Sequence, residues 1–135
     1  MKKNMNYIKR YYGPFVQRKQ IYKDNRRKSG IYCWYNIKTN EFYIGRTIDI
    51  TKRMYCYFSR SYLDREVSKY NSLICKSLLK YNFNSNNFIL YILEYCEINF
   101  LDLREQYYIN TLNPKYNIKK NIDFRAGFKH QKKFC

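Results

Sequence analysis

The chain has 135 residues, enough for one domain with short extensions. Hydrophobic content is an ordinary 45%, but 20% of residues are aromatic and 17 are Tyr, so a core can form and much of it is phenolic. The net charge of +17 names partners rather than a fold: nucleic acid, DNA or RNA, comes first and an anionic membrane surface second, though no basic amphipathic helix stands out and no apolar run is long enough to span a bilayer; neither a membrane partner nor a small-molecule cofactor is expected.

Residues 1–28 hold ten basic side chains and one acid, Asp24, with a single Gly13-Pro14 break and no sustained periodicity. This stretch is expected to be a flexible basic leader. Transit peptides share its charge balance, but its many Tyr and its lack of Ser and Ala argue against one. No apolar core follows the first lysines, so it is not a secretory signal either.

Next come two clusters, Gly30-Ile31-Tyr32 and Tyr43-Ile44-Gly45. Residues 30–36 and 41–46 are rich in β-branched and aromatic types, and the polar Ile37-Lys38-Thr39-Asn40 separates them, which predicts a hairpin. If Asn36 faces Glu41, Tyr32 lies opposite Gly45 and Tyr43 opposite Trp34. Tyr32, Trp34, Tyr43 and Gly45 then share one face, and Cys33, Tyr35, Phe42 and Ile44 the other. A one-residue slip would destroy that partition. Gly45, lacking a side chain, leaves room there for a ligand to approach.

Asp49 is a candidate N-cap for a helix from Ile50 to about Ser59, with Met54, Tyr57 and Phe58 on one side. The polar residues 60–69 predict a loop. A second helix runs from about Ser72 to Tyr81, with Ile74, Leu78 and Tyr81 at helical spacing. A turn follows at 82–87, then a third strand from Phe88 to Tyr95, apolar enough to be buried on both faces. Asn99 and Asp102 have the spacing of a capping box for a third helix that ends near Leu112, before Asn113-Pro114. The expected fold is α+β and sandwich-like. It has a small three-stranded, at least partly antiparallel sheet flanked by three helices, in the order β-β-α-α-β-α.

Within the third helix, Leu101, Glu105, Tyr108 and Leu112 form one stripe. A carboxylate in an apolar stripe is costly unless it is paired or holds a metal. Both readings stand at this point, because the chain offers many cations as partners. The five cysteines are odd in number, widely spaced and without a C-x-x-C, and there is one His. A structural zinc site and a disulfide framework are both excluded on that ground, and the chain reads as reduced and intracellular.

Ser29-Gly30-Ile31-Tyr32, Tyr43-Ile44-Gly45 and Lys52-Arg53 open a series of clusters. It continues through Asn71-Ser72-Leu73-Ile74, Ser77-Leu78-Leu79-Lys80-Tyr81 and Ile92-Leu93-Glu94-Tyr95-Cys96. It closes with Leu103-Arg104-Glu105-Gln106-Tyr107-Tyr108 and Pro114-Lys115-Tyr116-Asn117-Ile118. In this order they resemble a GIY-YIG nuclease domain over 29–118, closest in pattern to homing endonucleases encoded in introns of fungal mitochondria. The resemblance implies a metal-dependent DNA endonuclease, and a mitochondrial location if the chain is intron-encoded. It implies that Glu105 binds one divalent cation, Mg2+ or Mn2+, with waters completing the shell. Tyr32 activates or orients the attacking water, with its phenol pKa lowered by cations nearby, and Tyr43 supports the same network. Arg53 stabilises charge at phosphorus, and Asn117 braces the site from the last segment. Gly45, Arg46 and Lys52 fall at the substrate side of the expected site.

Four departures from the family pattern stand out. Many members place a His or a Tyr between the first two helices. No His is available here, and Tyr70 is nearest in position. Arg46 stands where relatives have a small residue, and there it contacts phosphate or obstructs the site. Asn82 replaces a turn glycine, which Asn can do because it adopts left-handed angles. Relatives continue into a DNA-binding region, whereas residues 119–135 make only a short basic tail like the start of such a linker. The alternative reading is a non-cleaving, intron-associated nucleic-acid-binding remnant on the same fold.

Overall fold

The computed structural model describes residues 5–81 and 86–122. In chain order these form β1 (Lys9–Tyr12), α1 (Arg18–Asp24), β2 (Gly30–Asn36), β3 (Phe42–Thr47), α2 (Ile50–Tyr57), α3 (Arg60–Tyr70), α4 (Leu73–Tyr81), β4 (Phe88–Tyr95) and α5 (Leu101–Leu112). A 3-10 turn at Ile98–Phe100 leads into α5. The strands make one antiparallel sheet in the order β1-β4-β2-β3. No helix among the described residues is long and apolar enough to cross a membrane.

The hairpin has the register that alternation predicts. Tyr32 pairs with Gly45 and Trp34 with Tyr43, and the Asn36 amide donates to the Glu41 carbonyl at 2.9 Å. The two faces bury different cores. Tyr32, Trp34 and Leu90 pack with Ile21, Ile50, Met54, Leu63, Ile74 and Leu78 from the first four helices. On the other face Ile31, Cys33, Ile44 and Leu93 pack with Leu101 and Ile109 of α5. Each fully buried aliphatic side chain contributes roughly 1.5–3 kcal/mol.

A bulge between β2 and β4 positions α5. Ile31 pairs with Glu94 but Tyr32 with Ile92, so Leu93 is the extra residue. Leu93 and Glu94 therefore both serve the α5 side. Leu93 enters the core, while Glu94 accepts from Arg104 Nε and Nη2 and from the Tyr108 hydroxyl, all at 2.8 Å. Gly30 lies beside this bulge, where a Cβ would overlap the Glu94 carbonyl.

Two expectations about the elements are corrected. The sheet has four strands rather than three, and the described chain has five helices rather than three. Both missed elements of the leader are built into the domain: β1 pairs with β4 along Lys9–Tyr12, and α1 buries Ile21 completely. A hydrogen-bonded network fixes them. Tyr11 donates to Asp24 at 2.8 Å, buried Asn25 donates to Tyr11 at 3.1 Å, and Tyr95 donates to Asn25 at 2.7 Å. Residues 5–28 are thus part of the packed domain, not a flexible arm. Residues 60–69 are helix α3, capped by Ser59, whose hydroxyl accepts from the Tyr62 amide, and ended by Asn71 in the left-handed region. The substitution of Asn82 and the tail beyond Ile122 lie outside the described residues.

Candidate active site

Asp49 caps α2 as its sequence suggests, accepting from the Lys52 amide at 3.1 Å. The cap fixes the helix phase that sends Arg53 and Tyr57, four residues apart, toward the hairpin. There Tyr32, Tyr43, Arg46, Arg53, Tyr57 and Glu105 line an open cleft of about 560 Å³, with Tyr62, Tyr70 and Asn117 also on its wall. Arg53 arrives from α2 over one sheet face. Glu105 arrives from α5, which packs on the opposite face, and enters the cleft beside edge strand β3.

The phenols form a chain. Tyr32 and Tyr57 share a hydrogen bond at 3.0 Å between their hydroxyls. The Tyr32 and Tyr43 rings stand 6.3 Å apart, and the Tyr57 and Tyr62 rings 5.8 Å apart. Arg53 Nη1 reaches the Tyr62 hydroxyl at 3.5 Å. Burial pushes the Tyr32 phenol well above its ordinary pKa, and Arg53 opposes this only in part. Tyr43 and Tyr57 are also raised, by burial first and then by neighbouring phenols. Arg53 alone does not lower the Tyr32 pKa: desolvation outweighs one guanidinium. In this state Tyr32 is a neutral hydroxyl that donates and accepts, not a phenolate.

Asn117 clasps the edge strand. Its Oδ1 accepts from the Ile44 amide and its Nδ2 donates to the Ile44 carbonyl, each at 2.9 Å. The Tyr116 amide bonds the Phe42 carbonyl at 3.0 Å. The side chain of Asn117 thus acts as a further strand for the segment carrying Tyr43 and Gly45.

Glu105 is 5% exposed and Asp102, one turn earlier, is 6% exposed. Arg46 binds both: Nε stands 2.9 Å from Asp102 Oδ1, and Nη1 bonds Glu105 Oε1. Burial raises the Glu105 carboxyl above the usual range, the Arg46 charge pulls it back in part, and the Asp102 charge adds to the rise. Among the described residues no three His, Cys, Asp or Glu side chains cluster in a way that could hold a metal. Mg2+ does not need three, since it takes one or two carboxylates and keeps several waters. Asp102 and Glu105 suit it as hard oxygen donors, and the guanidinium that now spans them stands in for a cation.

Four expected residues have settings of their own. Gly45 is buried, and the space over it is filled by the ring of Tyr32 instead of being open to a ligand. Arg46 faces carboxylates. Lys52 is exposed and is not part of the cleft wall. Tyr70 stands at the rim, 60% exposed. Tyr57, which sequence reasoning did not single out for the site, lines the cleft and bonds the Tyr32 hydroxyl, and its spacing of four from Arg53 was the signal available. Asp102, read from its spacing as a capping residue, pairs with Arg46 instead, and Phe100 occupies the cap position.

Residues 28–117 match the family described as GIY-YIG catalytic domain. Among solved structures, the catalytic domain of homing endonuclease I-TevI is 31% identical, with a TM-score of 0.54, over 68% of this chain and 99% of that one. A mutant of the catalytic domain of intron endonuclease I-TevI is 29% identical, with a TM-score of 0.56, over 73% of this chain and 99% of that one. Comparison with curated proteins finds no match. The strand β1 and helix α1 precede the residues that match the family.

Proposed function

The chain belongs to the GIY-YIG catalytic-domain family, and from that premise we propose that it is a metal-dependent DNA endonuclease hydrolysing phosphodiester bonds, in an intron-encoded setting. One observation carries the reading: Tyr32, Arg53 and Glu105, from a strand and two helices on opposite sheet faces, meet in a single cleft.

The cleft divides the work. Glu105, with Asp102 beside it, would hold the divalent cation, Mg2+ or Mn2+. A cation held there would supply a water of lowered pKa and charge to screen the phosphate. Tyr32, neutral and bonded to Tyr57, orients the nucleophilic water through its hydroxyl. Tyr43 narrows the cleft and completes that network. Arg53, held by the Tyr62 hydroxyl, stabilises the charge that develops on the phosphoryl oxygens. Asn117 keeps β3 in register so that Tyr43 keeps its place.

The Arg46–Glu105 pair favours a second reading, a domain that binds nucleic acid without cutting. Supercoiled plasmid incubated with Mg2+, Mn2+ or EDTA decides between them. Nicking that needs the cation and disappears in Glu105→Gln and Tyr32→Phe supports the endonuclease. Retained DNA binding with intact plasmid under every condition selects the binding domain.

A further inference from the structure

Arg46 lies between Gly45 and Thr47 on β3. Alternation turns it to the same face as Ile44, toward α5. There α5 presents Asp102 and Glu105 three residues apart, on one side of the helix. Both are nearly buried, and a buried carboxylate is stable only with a partner. The guanidinium fork reaches from one to the other. The trio itself carries two negative charges and one positive, whereas a divalent cation would match the two carboxylates. Arg46 also lines the open cleft, so its long side chain has a second place to go, beside Arg53, where a DNA phosphate would lie.

We propose that Arg46 is an internal competitor for the divalent-cation site: guanidinium and metal exchange on the Asp102–Glu105 pair, and the displaced Arg46 takes a DNA phosphate. The proposal rests on the reading of Glu105 as the cation's ligand. Its consequence is linkage. Metal is held weakly by the free protein, because only the fraction with Arg46 released can bind it. If the ion pair is formed nine-tenths of the time, the apparent Kd rises about tenfold. DNA, by drawing Arg46 away, tightens metal binding, and metal tightens DNA binding by the same factor. Cutting is thereby confined to the DNA-bound protein.

The test measures Mn2+ binding by electron paramagnetic resonance, without any cleavage. Arg46→Ser is expected to bind Mn2+ about tenfold tighter than the parent, and adding Glu105→Gln is expected to erase the gain. Equal or weaker binding by Arg46→Ser overturns the proposal. A measurement on the parent covers the case in which that variant fails to fold. The Arg46 Nε–H resonance is expected to move on saturation with Mg2+ and to stay put in Glu105→Gln. A resonance unmoved while Mn2+ binds also overturns it. A protein that exchanges cations yet never nicks plasmid contradicts the endonuclease reading alone. One that nicks while Arg46→Ser binds Mn2+ no tighter contradicts the exchange alone.

Discussion

The ring of Tyr32 lies over Gly45, its partner across the β2–β3 ladder, and fills the space that a side chain would need. A Cβ on Gly45 would overlap the Tyr32 Cζ and Oη and stand 2.9 Å from Cε1. The two motif clusters of the sequence are thus halves of one contact. Gly45→Ala is expected to destabilise the domain by about 1–3 kcal/mol, as overpacking does, and to misplace the Tyr32 hydroxyl. A double-mutant cycle with Tyr32→Ala measures it. The alanine should cost much less once the ring is gone, and an unchanged cost would show that the contact is not the cause.

Arg53 is expected to act on the transition state. Arg53→Ala should raise the barrier by roughly 2–4 kcal/mol, the usual effect of removing one preorganised donor, while binding of uncut duplex weakens far less. Single-turnover nicking and a binding isotherm on the same DNA separate the two. Parallel losses would assign Arg53 to general phosphate attraction.

Asn117 makes two hydrogen bonds to one residue of an edge strand. Asn117→Ala should cost about 1–3 kcal/mol by leaving the buried Ile44 amide and carbonyl without partners. The sharper readout is local: the Ile44 amide should exchange with deuterium faster than its neighbours in β2. Unchanged exchange at Ile44 would remove the bracing role.

Glu94 predicts an acid limb in stability. Burial opposes its ionisation, but the Arg104 fork and the Tyr108 hydroxyl outweigh burial and hold the carboxyl below its usual range. Its contribution is therefore complete above about 4.3, the value in an unfolded chain, and is lost as pH falls through the folded-state pKa. Glu105 runs the other way. Its raised pKa favours the fold at low pH, and that contribution is lost as pH rises through the folded-state value. Urea unfolding from pH 7 to 3 should show a shallower acid limb for Arg104→Met than for the parent. Identical limbs would mean that the pair contributes nothing.

The hairpin, the Asp49 cap and the buried strand β4 were legible because each is local: alternation, cap chemistry and an apolar run speak for themselves. The strand β1 was not. Lys9-Arg10-Tyr11-Tyr12 is an edge strand in which only Tyr11 is buried, so it carries no hydrophobic pattern. Helix α3 buries only Tyr62 and Leu63, and its charged surface reads as loop. At the cleft, Tyr32, Arg53 and Glu105 could be picked out singly. The reach of Arg46 across to α5 could not, because it depends on how helix and sheet edge dock. Asp102 went unread for the same reason, since its spacing from Asn99 offered a local explanation that the fold does not use.

The same packing changes what removing the leader should do. A protein lacking residues 1–28 loses the strand that covers β4 and the Tyr11–Asp24–Asn25 network. It is expected to unfold at markedly lower urea than the parent, not merely to bind DNA more weakly. Matching urea midpoints would restore the leader to an independent arm.

The lone tryptophan of the chain, Trp34, is 1% exposed and stands 5.4 Å from the Tyr57 ring, with Phe58 and Phe88 against its other sides. Its fluorescence therefore comes from one place, a buried aromatic box that shares a wall with the phenol chain of the cleft. Emission should be blue in the native protein and move to the red on unfolding, with no second indole to blur it. Excitation of the surrounding tyrosines should pass to it, since they lie within easy transfer range. The molecule thus carries its own optical gauge beside the site where the chemistry is proposed, sensitive to any repacking of Tyr57.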